Sequence, residues 1–378
     1  MTIVLISAAR DRTYQEGVCS RRRLVFTVEQ VLFECNEVDL HEAVARPLPN
    51  LDQLPSDSWD KPDRIGQGYF EGGLRNVYGL MPLARHIEQY TERRLSHQSD
   101  ALNAMRGIFE RFAKFNDPVP EYWGIPMAPT AFVLGDDISR LDSLHANVQA
   151  AFGFGLLWNV PLNQNPDRRS GFPSWSWAGW IAPVKWPTWS GQDVKDTLGI
   201  SSFSVVGDTG SENTLSSDML SQIKFESSRG HTPALRIDAE VLSIKFSWTP
   251  DSKFGQLKNG SVRTFAGPVF YVPDLAHNDN HYWPLMLTAQ VQEGSKLWDA
   301  LCNEHLQCVV LDDRFALVVW REERIGLLAL ETYLDEDLDD VRDMCASFIS
   351  YSYPDEKIPK NRNLRDTVRS ERRAVIVR

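Results

Sequence analysis

Apolar positions change their period three times along this chain. At the start they form short runs. "TIVLIS" (residues 2–7) has the pattern of a buried strand, and "RLVFT" and "QVLFEC" are β-rich runs separated only by "VE". That spacing predicts a hairpin or two adjacent strands. Just before them, "TYQEGVCS" is compatible with a helical turn. Residues 36–73 are rich in Pro, Asp and Gly with no sustained period, so a long loop is expected there.

The period then becomes helical. Pro82 suits a first helical position, with Leu83, Ile87 and Tyr90 on one face. Ser99 or Asp100 is placed to cap a second helix, in which Ala101, Met105, Ile108, Phe112 and Phe115 recur at helical spacing. A third runs through "SRLDSLHANVQAAFGFGLLW", with Leu141, Leu144, Val148, Ala151 and Phe152 in phase.

Next comes "RRSGFPSWSWAGW", Arg168 to Trp180, with Trp186 and Trp189 close behind. Five of the chain's twelve tryptophans fall between residues 175 and 189. In a strand, Trp175 and Trp177 share one face and Ser174 and Ser176 the other. Gly179 then allows a bend that returns Trp180 to the core. Two indoles on one face bury much apolar area, and an exposed pair could instead stack on a base or sugar. Only Arg168 and Arg169 lie nearby, which makes a buried staple the better reading.

Residues 190–232 are rich in Ser, Gly and Asp, with few large apolar side chains, and read as a mobile insertion or linker. Beyond them alternation returns. "ALRIDAEVLSIKFSW" alternates through Leu235, Ile237, Ala239 and Val241, then slips by one to Ile244, Phe246 and Trp248, which suggests a bulge. "GPVFYV", "CVVLDD", "FALVVW" and "RIGLLAL" complete an expected antiparallel sheet. Residues 336–378 open acidic and close basic, and read as solvated helix faces or disorder.

Composition narrows the function classes. The 378 residues suffice for two or three domains, and the net charge of -11 argues against a general affinity for nucleic acid. No run of 18 apolar residues occurs, so no helical membrane span is expected. Five scattered cysteines form no disulfide framework and point to a reducing, cytoplasmic setting.

P-loop, G-x-S-x-G and H-E-x-x-H patterns are absent. "GQGYFEGG" lacks the spacing and the preceding strand of a dinucleotide fingerprint. Cys302, His305 and Cys308, with His277 and His281 upstream, have the residue types of a zinc site. However, Cys308 opens an apolar strand, where a thiol is a small hydrophobe, so no metal is expected. Gln15 and Glu16 lie beside Arg21, Arg22 and Arg23, a setting for a structural ion pair or a catalytic carboxylate, the pair being favoured.

These residues resemble a known family. "RTYQEGVCSRRRLVFTVEQVLFEC" is similar to the closing segment of the fungal heterokaryon-incompatibility (HET) domain, with Arg12, Tyr14, Gln15, Glu16, Ser20, Arg21, Leu24, Phe26, Gln30 and Cys35 at matching positions. "YTERRLSHQSDALNAMRGIF" and "RRSGFPSWSWAGW" resemble segments that follow that domain, and "ERIGLL" resembles part of the family's C-terminal sheet. The motif positions are Arg12, Gln15, Glu16, Arg21, Arg168, Arg169, Pro173, Trp175, Trp177, Gly179 and Trp180. The A-L-S-Y-x-W-G and D-x-x-C-I-N-Q segments of the domain's front are not in this sequence, so the chain is expected to begin inside the domain.

The resemblance implies an α+β protein: a remnant of HET-domain strands over 1–40, a helical region over 74–189, the linker 190–232, an antiparallel β region over 233–335 and a charged tail over 336–378. It implies a part in fungal non-self recognition and cell-death signalling through protein partners, and with the charge, the apolar runs and the Cys and His spacing the expectation is no nucleic acid, membrane, metal or cofactor. HET domains are thought similar to TIR domains, some of which cleave NAD. The alternatives are therefore a NAD-processing enzyme with Glu16 as its carboxylate, or a non-functional truncated paralogue.

Overall fold

The computed structural model describes residues 2–5, 14, 18–20, 22–26, 31–35, 39–41, 80–114, 118–127, 144–160, 166–186, 201–207, 210–216, 232–249, 253–256, 262–264, 269–273, 282–288, 291–312, 314–330 and 363–378. It is an α+β protein. Contacts divide the chain into two compact units, Met1–Tyr78 with Arg93–Phe112, and Gly79–Glu92 with Ala113–Arg378.

The first unit holds β1 (Thr2–Leu5), β2 (Arg22–Phe26), β3 (Val31–Cys35) and β4 (Asp39–His41) in one sheet of that order. β1 runs parallel to β2, pairing Ile3 with Leu24. The expected β2–β3 partnership is antiparallel, with Leu24 opposite Phe33. β4 lies inside the stretch read as loop, and the rest of 42–73, "GQGYFEGG" included, is outside the described residues. Tyr14 is buried, with the Arg93 guanidinium 4.7 Å above its ring. The second expected helix is interrupted. Two 3-10 turns, Gln98–Asp100 and Asn103–Met105, precede a helix confined to Arg106–Phe112, which buries Ile108, Phe109 and Phe112.

The second unit opens with α1 (Leu80–Thr91); α2 is the Arg106–Phe112 helix of the first unit, α3 is Leu144–Gly155 and α4 is Lys296–Asn303. Leu83, Ile87 and Tyr90 are buried along α1, and Val148, Ala151 and Phe152 along α3, at the predicted period. Between them lies a two-residue-turn hairpin of β5 (Glu121–Tyr122) and β6 (Ile125–Pro126). α3 approaches β6 so closely that a Cβ on Gly155 would overlap the Pro126 carbonyl.

The main sheet has ten strands. Its order is β10 (Glu212–Thr214), β9 (Ser202–Val206), β11 (Ala234–Ile244), β17 (Leu306–Val310), β18 (Phe315–Trp320), β19 (Glu323–Ala329), β16 (Tyr282–Leu287), β15 (Val269–Pro273), β12 (Ser247–Thr249), with β20 (Ser370–Val377) on β11. Smaller antiparallel pairs are β7 (Asp167–Arg168) with β8 (Trp180–Ile181), and β13 (Lys253–Gln256) with β14 (Val262–Thr264).

Three expectations are corrected here. The linker read over 190–232 contains β9 and β10, because "SFSVV" buries Phe203 and Val205 on β11. The basic end of the tail is β20, whose Val375 and Val377 are buried opposite Ile237 and Leu235. Finally, the phase slip in β11 is not a bulge, since its pairing with β17 runs unbroken from Val241↔Val309 to Ile244↔Leu306.

The slip marks a change in which faces are covered. Along the first half, Arg236, Asp238 and Glu240 alternate with the buried residues; Arg236 pairs with Asp238 and Glu212, and Glu240 with Arg365. In the second half burial switches to the other face, leaving Ser243 and Lys245 exposed. There Leu242, Ile244 and Phe246 join a cluster with Phe270, Trp283, Leu285, Trp298, Cys308, Val318 and Leu328. The ladder does shift between β18 and β19, from Val318↔Gly326 to Val319↔Arg324. Ile325 stays in the apolar cluster while Arg324 leaves it.

Candidate functional site

The tryptophan segment is not a strand. Pro173 to Gly179 is a run of turns, in which the Ser176 Oγ caps a 3-10 turn over Trp177–Gly179 by accepting from the Ala178 N–H at 3.0 Å. β8 begins at Trp180, pairing back onto β7 with Arg168 opposite. The two serines therefore do not share an outward face. Both are fully buried.

Within these turns each described indole N–H of the segment is spent on a backbone carbonyl. Trp177 donates to Gly124 O at 2.6 Å and Trp180 to Ser174 O at 2.9 Å. Trp175 reaches Pro233 O at 3.4 Å, just ahead of β11. Trp158, beyond the end of α3, donates to Trp175 O at 3.2 Å, and Trp186 to Gly155 O at 3.2 Å. The rings pack as a chain: Tyr122 stacks on Trp175 at 6.0 Å, Phe152 meets Trp175 edge-on at 6.1 Å, and Tyr90 meets Trp177 edge-on at 6.0 Å. Trp175 and Trp177 are 0% and 1% exposed, which removes the ligand-platform reading. Trp189 lies outside the described residues.

The arginines do the same work. Arg168 donates to Arg169 O, Gly179 O and Phe172 O at 2.8–2.9 Å, and its guanidinium sits 5.3 Å from the Trp180 ring centre. Arg169 donates to Ala178 O at 2.6 Å. Gly179 is required by closeness: a Cβ there would overlap the Pro173 carbonyl and come within 2.7 Å of Arg168. Pro173 is buried with the rest of the turn. Behind it, Glu88 of α1 accepts from the Trp186 N–H at 2.8 Å and pairs with Lys185 at 3.4 Å.

At the centre is a residue that periodicity did not single out. Arg324 is 0% exposed. Its guanidinium lies 3.7 Å from the centre of the Trp158 ring, donates to Leu156 O at 2.8 Å and also donates to Trp158 O. Those carbonyls follow α3, where the helix dipole is negative, so backbone and ring stand in for a carboxylate. Burial nevertheless pushes its pKa well below the usual arginine value. The Arg324 N–H donates to Ser174 Oγ at 3.0 Å, and Ser174 Oγ donates to Arg378 O, beside a 2.8 Å bond from Ser174 N–H. Ser174 thus joins β19, the turn and the end of β20. A charge inside "RIGLL" was the available signal, because an arginine in an apolar strand needs an unusual partner.

The remaining sequence candidates do not gather here. Arg12, Gln15, Glu16 and Arg21 lie outside the described residues, as do His277 and His281. Cys308 is buried in the apolar cluster, which raises its thiol pKa, while His305 is exposed. Among the described residues no group of three or more His, Cys, Asp and Glu is placed to hold a metal. A shallow hollow is lined by Gln149, Gly153, Phe154, Ser201, Phe203 and Asp312. Its Gln149 amide is taken up by Phe203 O, Leu215 O and the Phe203 N–H. The Ser174 and Ser176 hydroxyls donate to Arg378 O and Trp123 O, so both serines of the turn fasten backbone. No family model, curated protein or solved structure matches the chain, and no described helix is long and apolar enough to cross a membrane.

Proposed function

We propose that this chain is a heterokaryon-incompatibility family protein that serves as a non-catalytic module in fungal non-self recognition and cell-death signalling, acting in the cytoplasm through protein partners. The observation that carries the reading is the fate of the segment with the most specific resemblance. From Phe172 to Trp180, the indoles and serine hydroxyls donate to backbone carbonyls of their own unit. Residues used in that way build a scaffold and leave no group poised for substrate.

The test is functional and has two arms. Expressed in a filamentous fungus, the chain should alter the death reaction on hyphal fusion, and the clamp variant Trp177→Ala should lose the effect. The purified chain should show no NAD turnover above a Glu16→Ala control. Turnover abolished by that substitution would replace the module reading with the enzyme, and no effect on fusion would leave the non-functional paralogue.

A further inference from the structure

The main sheet ends in strands of unequal size. β10 and β12 have three residues each, whereas β20 has eight. β20 pairs with β11 without a break from Leu235↔Val377 to Leu242↔Ser370, and among the described residues it pairs with no other strand. The opposite edge of β11 is taken up by β9 along Ala234–Asp238 and by β17 along Val241–Ile244. In such an antiparallel pair, every second residue of the outer strand turns its N–H and C=O away from its neighbour. Just past the strand the backbone is anchored. Arg378 N–H donates to Glu322 O at 2.6 Å, and Ser174 N–H donates to Arg378 O at 2.8 Å.

β20 is open on both faces over most of its length. Ser370, Glu371, Arg372, Arg373 and Ala374 are exposed in succession, and burial begins only at Val375. A half-buried strand would alternate from its first residue. The charge of the segment also runs against that of the chain. From Arg365 to Arg373, four arginines stand against Asp366 and Glu371, in a protein of net charge -11. Arg365 donates to Glu240 of β11 at 2.9 Å, and Arg373 pairs with Glu371 at 3.1 Å in water. Arginines on an edge commonly guard a sheet against unwanted strands. Here the guard is selective. A second copy would bring the same arginines against these, whereas an acidic strand would bring carboxylates to them.

We propose that the outer edge of β20 is a docking site for an extended acidic segment of a protein partner, which adds to the sheet as a further strand. Its main chain pairs with β20 between Ser370 and Ile376, and its carboxylates meet Arg369, Arg372 and Arg373. The pairing supplies affinity that does not depend on side chains, and the arginines choose the partner. This docking rests on the reading of the chain as a module that acts through protein partners, and gives that partner a chemistry.

The probe is a labelled peptide as long as β20 that alternates glutamate with valine, titrated into the full chain by fluorescence anisotropy. It should bind, and a peptide alternating lysine with valine should not. Methylating the backbone nitrogens of the acidic peptide keeps its charge and should weaken binding by tenfold or more, roughly, because it can no longer pair. Arg369→Glu combined with Arg373→Glu should weaken it by about tenfold. On the wild-type chain, saturating acidic peptide should slow amide exchange between Ser370 and Ile376 and leave β10 and β12 unchanged. That measurement decides if the double variant does not fold. Unchanged exchange at β20, or equal binding of the methylated peptide, overturns the docking site. So does concentration-dependent protection of β20 without peptide, which would make a second copy the occupant. Absence of peptide binding with an intact effect on hyphal fusion removes the docking site alone, and peptide binding without any effect on fusion removes the signalling role alone.

Discussion

Around Trp175, Trp177 and Trp180, each ring brings an N–H that ends on a backbone carbonyl, whereas the cluster built on Leu242, Val318 and Leu328 is packed by aliphatic and aromatic side chains. Both regions are buried in the same unit. The first is held by directional bonds between irregular turns, the second by contact between regular strands. A turn run has no ladder to satisfy its carbonyls, so side chains must do it, one by one. A strand cluster has its backbone already satisfied and needs only volume. The difference should appear as a difference in tolerance: identity matters in the clamp, and size in the sheet.

The largest effect is expected at Arg324, where the clamp and the sheet meet. Arg324→Ala leaves the Leu156 and Trp158 carbonyls without their donor in a buried site, together with a cavity under the Trp158 ring. The cost should be about 3 to 5 kcal/mol, read from urea midpoints. Arg324→Lys should recover little, because one ammonium cannot reproduce a planar fork stacked on an indole. Near-complete rescue by lysine would show that charge alone matters there, and the contrast with the sheet would lose its main support.

Gly179→Ala comes next. The added methyl overlaps the Pro173 carbonyl and crowds Arg168, neither of which can move without breaking the turn. Overpacking of that kind costs about 1 to 3 kcal/mol. A melting temperature equal to wild type would mean that the turns are looser than their bonds imply. Trp177→Phe keeps an aromatic ring and removes the donor to Gly124 O. A buried carbonyl left unpaired costs about 1 to 3 kcal/mol, with the lost ring volume adding to it.

These expectations explain what sequence could and could not show. The helical faces of α1 and α3 were legible because Leu83, Ile87, Tyr90, Val148, Ala151 and Phe152 repeat at the period of the element. The strands "CVVLDD", "FALVVW" and "RIGLLAL" were legible because two-sided burial leaves a continuous apolar run. β20 was hidden by its composition: five exposed residues precede the buried Val375 and Val377, and their charges read as solvated. β9 was hidden by shortness, a five-residue strand amid Ser and Gly. In the clamp, the tryptophans announced burial, but spacing alone implied a strand. The turn is set by contacts distant in sequence, Ser176 with Trp123 and Ser174 with Arg324 and Arg378, which no local period encodes. The Arg12, Gln15, Glu16 and Arg21 positions lie outside the described residues and add nothing to either side of the comparison.

The smallest effect is the control that gives the others their meaning. Leu328 is 0% exposed in β19, pairs with Leu285 and Ala316 on either side, and contributes no side-chain hydrogen bond. Leu328→Met changes shape at nearly constant volume, and a flexible thioether can follow the walls of the site, so the cost should stay below about 1.5 kcal/mol. Trp177→Phe is as conservative in class, yet it removes a donor as well as volume and should cost more. Measured together by urea denaturation, the two changes separate the hypotheses: if Leu328→Met proves the more damaging, the sheet is as particular as the clamp, and directional bonding is not what distinguishes the tryptophan segment.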